Sequence, residues 1–441
     1  MGITYWLLAV GVLATGPTLP SPPQEEARPL EAELQKLVRL ETPSARASRA
    51  SVMARRKDVQ LDEWLTAMRA FGTHRPAEAG SRVERAALRV GDEVEDTELH
   101  LVVPESYEPG TPAPLLLAFH GTGGDGSYMA SLWAEVAERT GMIVVAPSEA
   151  GPNGGYAFSQ RERDAALAAL RWARLEFDVD EDAIFATGIS RGGHLSWDLA
   201  LRYPGTLAGI APMIGSPRVN HQNGQNNIRY LDNVLDLPIR DLQGVGDDPR
   251  MIFNLKFVFA RLEEREASDA ELFLQEGLGH SFRMNAVDWD EFFGEKRRSA
   301  VPTRVRRSVA RKGEGRAYWV EVLETKDPVA ENFAIPLTNR WKKADEDEQR
   351  EILQAAADKR TALLDVRLSG PFRYEAKASK GIESFRLLLP PRAFQEGKAL
   401  DVQFNGKRVR RRPKASKEVL LREFAERFDR RFLPVAEVVI D

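Results

Sequence analysis

The middle of the chain alternates short, continuous apolar segments with amphipathic helical patterns. A strand buried on both faces needs an uninterrupted apolar run, and such strands occur in parallel sheets covered by helices. Six segments are interpreted as such strands, at 115–119, 143–146, 184–187, 209–214, 239–245 and 271–275, of which the last two also include charged and amide side chains. Helical periodicity lies between some of them, at 164–176 and 251–263. The pattern predicts a doubly wound, mostly parallel α/β sheet, in which ligands bind at the carboxyl ends of the strands.

The chain is longer than this one sheet requires. At roughly 150 residues per domain, its 441 residues predict two or three folded units. The 62 basic and 66 acidic residues leave a net charge of −4, which argues against a protein that coats nucleic acid with a basic surface. The chain has no cysteine, so disulfides, thiolate nucleophiles and cysteine-ligated zinc are excluded.

The N-terminus begins with an apolar run from Tyr5 to Ala14, followed by glycine and proline. The run has the length of the apolar region of a secretory signal, whereas a membrane span needs about 20 residues. No lysine or arginine precedes it, so an uncleaved anchor and a cytoplasmic protein are the alternatives. We predict a signal peptide at 1–20, a secreted or periplasmic mature chain without a membrane span, and a helical extension at 21–85.

A G-x-S-x-G motif follows one of the predicted strands. The segment 188–193, with sequence GISRGG, lies between the strand 184–187 and a helix with apolar residues at spacing four. The glycines allow the strained turn of a nucleophile elbow. The turn leaves Ser190 at a helix N-terminus, where developing negative charge is favoured. Ser190 is therefore the candidate nucleophile, and a serine that only caps the helix is the alternative.

A serine nucleophile needs a base and an acid, which later loops supply. Among the six histidines, His280 alone lies on a glycine-containing loop just after the last predicted strand. His194 follows Ser190 by four residues on the elbow helix, which favours a structural role. Asp247 and Asp248 follow the fifth predicted strand. The spacing from the preceding glycine favours Asp247, and Asp248 stays the alternative triad acid because one carboxylate is expected to cap the next helix or face solvent.

A glycine-rich loop follows the first predicted strand and is a candidate oxyanion hole. It runs from His120 to Gly126 with the sequence HGTGGDG. The backbone N–H of Thr122 is one candidate donor, and that of Arg191, the residue after the candidate nucleophile, is the other. A phosphate-binding loop is the alternative, but the loop lacks the G-K-S/T ending of that motif.

These segments resemble the α/β-hydrolase superfamily. The resemblance covers about residues 86–297 and is nearest to polyhydroxybutyrate-depolymerase-like, feruloyl-esterase-like and dienelactone-hydrolase-like esterases. It implies hydrolysis of carboxylic esters through an acyl-enzyme, without a metal or cofactor. The implied roles are Ser190 as nucleophile, His280 as general base, Asp247 as its orienting acid, and Thr122 and Arg191 as oxyanion donors.

Two polar loops are candidate walls of a substrate pocket. Tyr156 and Phe158 follow one strand end, and His221 lies in an amide-rich stretch at 220–227, where hydrolases place lids. Amide side chains would suit a polar or sugar-bearing substrate. A solvated loop is the alternative for the second stretch.

The last third of the chain changes in composition. Asn405-Gly406 is a strong hairpin signal, 345–362 is a charged helical pattern, and 407–417 is a basic run. Strands are predicted at 316–323, 364–368, 384–389, 400–404 and 435–440. We predict a β-rich domain at 302–441. A carbohydrate or partner contact is its candidate role, and a solvated surface is the alternative for its charged runs.

The sequence therefore predicts a serine hydrolase that cleaves a small-molecule or polymeric carboxylic ester. A serine peptidase of the prolyl-oligopeptidase-like kind, which uses the same triad, is the first alternative. A non-catalytic binding protein on a hydrolase scaffold is the second. No metal, cofactor or nucleic-acid partner is expected.

Overall fold

The computed structural model describes residues 24–72, 76–148, 155–218, 227–309, 314–325, 338–359, 361–379 and 381–441. The predicted signal peptide and His221 lie outside these ranges. Among the described residues, three helices come first: α1 (Gln24–Val38), α2 (Pro43–Ala54) and α3 (Leu61–Ala70). None of the helices that the structure describes is long and apolar enough to cross a membrane.

Eight strands form the central sheet. They are β1 (Gly80–Val90), β2 (Glu93–Val103), β3 (Ala113–Phe119), β4 (Ile143–Ser148), β5 (Val179–Ile189), β6 (Gly209–Met213), β7 (Ile239–Gly244) and β8 (Ala270–Gln275). Their order is β1-β2-β4-β3-β5-β6-β7-β8. The pairs from β4 through β3 to β8 are parallel, and β2 is antiparallel to both β1 and β4. The expected mostly parallel sheet is confirmed, and all six predicted strands belong to it.

Five helices cover the two faces of this sheet. They are α4 (Gly126–Thr140), α5 (Gln160–Glu176), α6 (Arg191–Arg202), α7 (Pro249–Glu264) and α8 (Trp289–Glu295). On one face, Trp133 of α4 packs edge-on against Trp289 of α8 in a buried aromatic cluster. On the other face, apolar residues of α5, α6 and α7 share a second buried cluster with the strands. The sheet is thus doubly wound, and its parallel strands all end at the edge that carries the GISRGG turn.

The C-terminal third contains two smaller sheets. Its strands are β9 (Arg304–Val309), β10 (Arg316–Ala317), β11 (Val320–Thr325), β12 (Ala362–Gly370), β13 (Arg373–Ala378), β14 (Ile382–Leu389), β15 (Leu400–Phe404), β16 (Lys407–Arg411) and β17 (Ala436–Ile440). One sheet has the order β10-β11-β14-β17 and the other β16-β15-β13-β12-β9. Residues of both sheets form one buried apolar cluster, so the expected β-rich region is confirmed as a sandwich. Asn405 and Gly406, both at positive φ, make the expected hairpin between β15 and β16.

Three helices accompany the sandwich: α9 (Asn339–Lys343), α10 (Glu346–Asp358) and α11 (Lys417–Arg427). The charged helical pattern at 345–362 corresponds to α10, whose Leu353 and Ala357 reach the core of the central sheet. Leu420 and Phe424 of α11 pack with Leu34 and Trp64 of the N-terminal helices. The N-terminal helices therefore share their core with the C-terminal end of the chain.

Two predictions are wrong. The helical extension was predicted at 21–85, but its last residues belong to β1, which begins at Gly80. The other concerns a strand. The segment 316–323 was expected to form a single strand, but it forms β10 and β11 joined by a turn. Tyr318 adopts φ 51° in this turn, and its hydroxyl donates a hydrogen bond to the carbonyl of Pro204, 3.1 Å away. Packing against the end of α6 thus fixes a backbone conformation that a continuous strand cannot have.

Candidate active site

Ser190 occupies a strained turn between β5 and α6. Its backbone has φ 54° and ψ −108°, a region that residues other than glycine rarely adopt. A Cβ on Gly192 would lie 2.0 Å from the Phe119 carbonyl oxygen, and one on Gly188 would lie 2.3 Å from the Gly192 carbonyl carbon. Side chains at these two positions cannot be accommodated. This close packing explains the two glycines of the motif and places Ser190 at the carboxyl edge of the sheet.

Three side chains form a continuous hydrogen-bonded chain at this edge. His280 Nε2 lies 2.9 Å from Ser190 Oγ, and His280 Nδ1 lies 2.8 Å from Asp247 Oδ2. The side chain of His280 is 48% exposed, whereas that of Asp247 is 6% exposed. The imidazole thus bridges a buried carboxylate and a hydroxyl, with one side open to solvent. This is the geometry in which a histidine can take a proton from serine while a carboxylate orients the ring.

The two neighbouring aspartates have different partners. Asp247 Oδ2 also accepts a hydrogen bond from Gln243 Nε2 at 2.7 Å, and Asp247 Oδ1 accepts one from the Asp248 N–H at 2.7 Å. Asp248 caps α7 by accepting from the Arg250 N–H at 2.9 Å. The Arg250 guanidinium also lowers the pKa of Asp248. Of the two carboxylates, the structure brings Asp247 to His280 and leaves Asp248 at the helix start.

Close backbone packing holds the acid and base loops together. The N–H of Gly246 donates to the Leu278 carbonyl at 2.8 Å. A Cβ on Gly244 would lie 2.1 Å from the Gly279 carbonyl oxygen, so the two loops approach each other only because residue 244 is glycine. Gly277 has φ 75° and provides the bend after β8. These contacts fix the separation between Asp247 and His280.

The glycine-rich loop after β3 lies beside the serine. A Cβ on Gly121 would be 3.7 Å from Ser190 Cβ and 3.4 Å from the Ile189 carbonyl oxygen. The Gly121 carbonyl accepts from the Gly124 N–H at 3.1 Å and is 2.8 Å from His120 Nδ1. The structure therefore brings the loop that carries Thr122 next to the elbow. The oxyanion roles of Thr122 and Arg191 remain predictions.

The candidate pocket residues Tyr156 and Phe158 lie behind the elbow helix. Each is 2% exposed. The Tyr156 hydroxyl donates to Asp198 Oδ2 at 2.8 Å, and the Arg218 guanidinium lies 4.1 Å from the centre of the Phe158 ring. They are parts of a buried polar and aromatic cluster near the site, and their contact with a substrate remains a prediction.

His194 contacts Ser216 rather than the hydroxyl of Ser190. Its Nδ1 is 2.6 Å from the Ser216 carbonyl oxygen, and its ring stacks near Tyr156 at 6.5 Å. Burial lowers the pKa of His194 to about 4, so the ring is neutral at neutral pH. Both contacts fit the structural role expected from its place on the helix.

Several polar residues near the site could not be assigned from the sequence. Gln243 is fully buried and donates to Asp247, and Glu162 pairs with the Arg191 guanidinium at 2.9 Å in the core. Polar side chains inside apolar strand or helix patterns are the one signal that could have indicated them. Among the described residues, no group of three or more histidine or acidic side chains is placed to hold a metal ion.

Comparison with known proteins gives partial matches. No protein-family model matches the chain. A protein described as probable feruloyl esterase C from Aspergillus flavus is 29% identical over 147 residues, which are 31% of this chain and 53% of that protein. Poly(3-hydroxyalkanoate) depolymerase C from Paucimonas lemoignei is 29% identical over 117 residues, 24% of this chain and 28% of that protein. The chain thus spans about half the length of the first of these relatives.

The solved structures similar to this one include an acetyl xylan esterase from Aspergillus awamori. It is 17% identical to this chain, with a TM-score of 0.39. The matched region is 48% of this chain and 99% of the esterase chain. The sequence matches to the named esterase and depolymerase confirm the resemblance to α/β-hydrolase esterases. The strand order and the helices on both faces confirm the fold class.

Proposed function

We propose that this α/β-hydrolase cleaves carboxylic esters with Ser190 as its nucleophile. The observation that carries the proposal is the hydrogen-bonded chain from Asp247 through His280 to Ser190 Oγ, at 2.8 and 2.9 Å. A serine hydroxyl is a weak nucleophile until an adjacent base accepts its proton. The similarity to proteins named esterases and a depolymerase supports ester cleavage as the reaction.

The proposed reaction has two steps. Ser190 Oγ attacks the ester carbonyl carbon while His280 Nε2 takes the hydroxyl proton. The proton then passes to the departing alcohol, and an acyl-enzyme ester remains on Ser190. In the second step, His280 takes a proton from water, the hydroxide attacks the acyl carbon, and the acid leaves as the proton returns to Ser190. Asp247 holds the imidazole with Nε2 directed at the serine.

Two backbone donors complete the proposed site. The N–H groups of Thr122 and Arg191 would stabilise the oxygen that becomes negative in each tetrahedral intermediate. One such donor contributes roughly 3 to 4 kcal/mol to transition-state stabilisation. The position of Gly121, where an added Cβ would lie 3.7 Å from Ser190 Cβ, and that of Arg191 as the first residue of α6 support this assignment.

The substrate is proposed as a small-molecule or polymeric ester. Tyr156 and Phe158 are proposed to back the acyl or alcohol pocket, since they lie beside the elbow helix. Export through the predicted signal peptide would bring the enzyme to extracellular esters. The C-terminal sandwich is proposed to contact a carbohydrate or another partner.

Hydrolysis by a Ser190→Ala variant tests the proposal. The variant should lose turnover of a short p-nitrophenyl ester and keep its thermal unfolding temperature, because alanine removes the nucleophile and little packing. A panel of feruloyl esters, acetylated sugars and short polyesters then defines the substrate, with peptide amides as the comparison. Unchanged turnover in the variant would refute the nucleophile, and faster amide than ester cleavage would favour a peptidase.

A further inference from the structure

The five-stranded sheet of the C-terminal sandwich has one face toward the core and the other toward solvent, except at the end of β9, where Ser308 is buried against Asn233. Residues of the inner face, such as Val305, Val366, Tyr374 and Val402, are buried. Because successive side chains of a strand point to opposite faces, their neighbours point outward. Six of these outward residues are exposed and basic, and we call them the basic face: Arg304, Arg367, Arg373, Lys377, Arg408 and Arg410.

Strand register aligns five of these residues in two rows, and Lys377 lies opposite Asp365 in a third row. One row crosses all five strands and contains Arg304, Arg367, Glu375, Gln403 and Arg408. The next row contains Arg373, Asp401 and Arg410. Neighbouring strands are about 4.8 Å apart, and rows two residues apart are separated by about 7 Å. The basic face is therefore an open array of charges rather than a single site.

The acidic residues on this surface compensate the basic ones only in part. Arg304 pairs with Asp365 at 2.5 Å, and Arg408 pairs with Asp401. Arg367, Arg373, Lys377 and Arg410 have no ion pair with any described residue, and Glu375 is the one other acidic residue on these outward positions. The basic face thus carries a local positive excess on a chain whose net charge is −4.

We propose that the basic face binds a linear acidic polysaccharide whose carboxylates contact the four unpaired basic side chains. Guanidinium groups match carboxylates with paired hydrogen bonds, and a polymer with repeated carboxylates can engage several at once. The inference deepens the proposed C-terminal contact. Bound in this way, the polymer would hold the proposed esterase near acyl groups attached to the same chain.

The same surface is poorly suited to nucleic acid. Proteins that bind single strands stack bases on aromatic side chains, and no outward position of the described strands β9, β12, β13, β15 and β16 is aromatic. Duplex DNA carries one charge per roughly 1.7 Å, and proteins that bind it neutralise many phosphates. Four unpaired cations better match a polymer of lower charge density.

Co-sedimentation of the full chain with polygalacturonate tests the proposal, with dextran, poly(U) and phosphatidylserine vesicles as comparison ligands. The test variant neutralises the unpaired residues: Arg367→Gln, Arg373→Gln, Lys377→Gln and Arg410→Gln. The matched control makes the same charge change at exposed positions outside the basic face: Arg55→Gln, Lys57→Gln, Lys342→Gln and Lys343→Gln. Thermal unfolding and turnover of a soluble p-nitrophenyl ester are measured on all three proteins.

The wild type and the control should bind polygalacturonate, and the test variant should bind about tenfold or more weakly. Binding should weaken as salt increases, because exposed charges are screened. Equal binding by the test and control variants would overturn the proposal, as would equal binding to dextran or stronger binding to poly(U) or vesicles. Ester turnover is a separate measurement. Binding of polygalacturonate without ester turnover would support the basic face and contradict only the proposed ester hydrolysis.

Discussion

Asp241 in β7 and Asp247 in the loop that follows this strand have opposite surroundings. Asp241, in the sheet interior, is fully buried and accepts one hydrogen bond, from Trp197 Nε1 at 2.7 Å. Asp247, in the loop after the strand, accepts hydrogen bonds from three groups, on His280, Gln243 and the Asp248 backbone. Burial raises the pKa of Asp241 well above its usual range. The interior therefore favours a neutral carboxyl at Asp241, whereas the loop surrounds Asp247 with donors from three residues.

This difference shows that an acidic residue inside the sheet affects stability, whereas one in the loops at the carboxyl edge can take part in the proposed reaction. Inside the sheet, a carboxyl without a cationic partner loses its charge because water is excluded. At the carboxyl edge, loops supply donors from several segments, and His280 remains open to solvent. The position of an acidic residue relative to the strand end thus decides which role it can take.

The largest effect is expected from exchanging the acid in the loop. Asp247→Asn should lower kcat by about 10⁴-fold, because an amide cannot hold the imidazole in the form that accepts the serine proton. Asp248→Asn is the matched control, since asparagine also caps a helix, and it should change kcat by no more than about twofold. The measurement is steady-state hydrolysis of a short ester. A larger loss in the Asp248 variant would reverse the assignment of the triad acid.

A smaller effect on activity is expected at Gln243, which connects the interior of β7 to the loop. Gln243→Leu removes the donor to Asp247 Oδ2 with little change in volume, and kcat should fall about tenfold with KM nearly unchanged. In Gln243→Glu, the new side chain can donate to Asp247 only when it is protonated. The ratio of its kcat to that of the wild type at the same pH should therefore approach one at low pH and decrease as the pH rises. Wild-type kcat in the leucine variant would show that His280 and the Asp248 N–H together suffice to hold Asp247.

The interior acid should affect stability rather than rate. Because the folded-state pKa of Asp241 is raised, the folded protein binds the proton more tightly than the unfolded chain. The contribution of Asp241 to the free energy of unfolding is therefore fully present below the usual aspartate pKa. It is lost as the pH rises from that value to the pKa of Asp241 in the folded protein. In that pH range, the free energy of unfolding of the wild type should fall by up to about 1.4 kcal/mol per pH unit relative to that of the Asp241→Asn variant. Denaturant unfolding at several pH values measures this difference, and parallel curves for the two proteins would contradict it.

The smallest expected effect concerns the start of α7. Asp248→Ala removes the side chain that accepts from the Arg250 N–H, which should cost about 1 kcal/mol of unfolding free energy. Activity should stay near that of the wild type, because Asp248 does not contact His280. Loss of activity without loss of stability would mean that Asp248 takes part in the site.

Much of this arrangement could be predicted from the sequence. The apolar runs predicted the strands, and the glycines of the elbow predicted the turn, because both depend on local geometry that the residue types report directly. The sequence favoured Asp247 over Asp248 as the triad acid but could not decide between them. The answer depends on where the loops after β7 and β8 meet. Backbone contacts such as that of Gly246 with Leu278 fix this meeting point, and they are not local in sequence.

Other features depend on contacts between distant parts of the chain. Tyr318 turns because it packs against the end of α6, more than 100 residues away, so the strand pattern around it was misleading. The N-terminal apolar stripes predicted helices, but not that α11 would cover them. Gln243 lies within the buried strand β7, and its donor role follows only from the position of Asp247. Long-range packing therefore accounts for what the sequence patterns missed.

Mass spectrometry of the protein treated with a fluorophosphonate probe tests the central claim most directly. Such probes react with a serine only when a neighbouring base activates it. We expect a single adduct, located on the peptide that contains Ser190, and no adduct in the Ser190→Ala variant. An unmodified wild-type protein, or an adduct on another serine, would contradict the account.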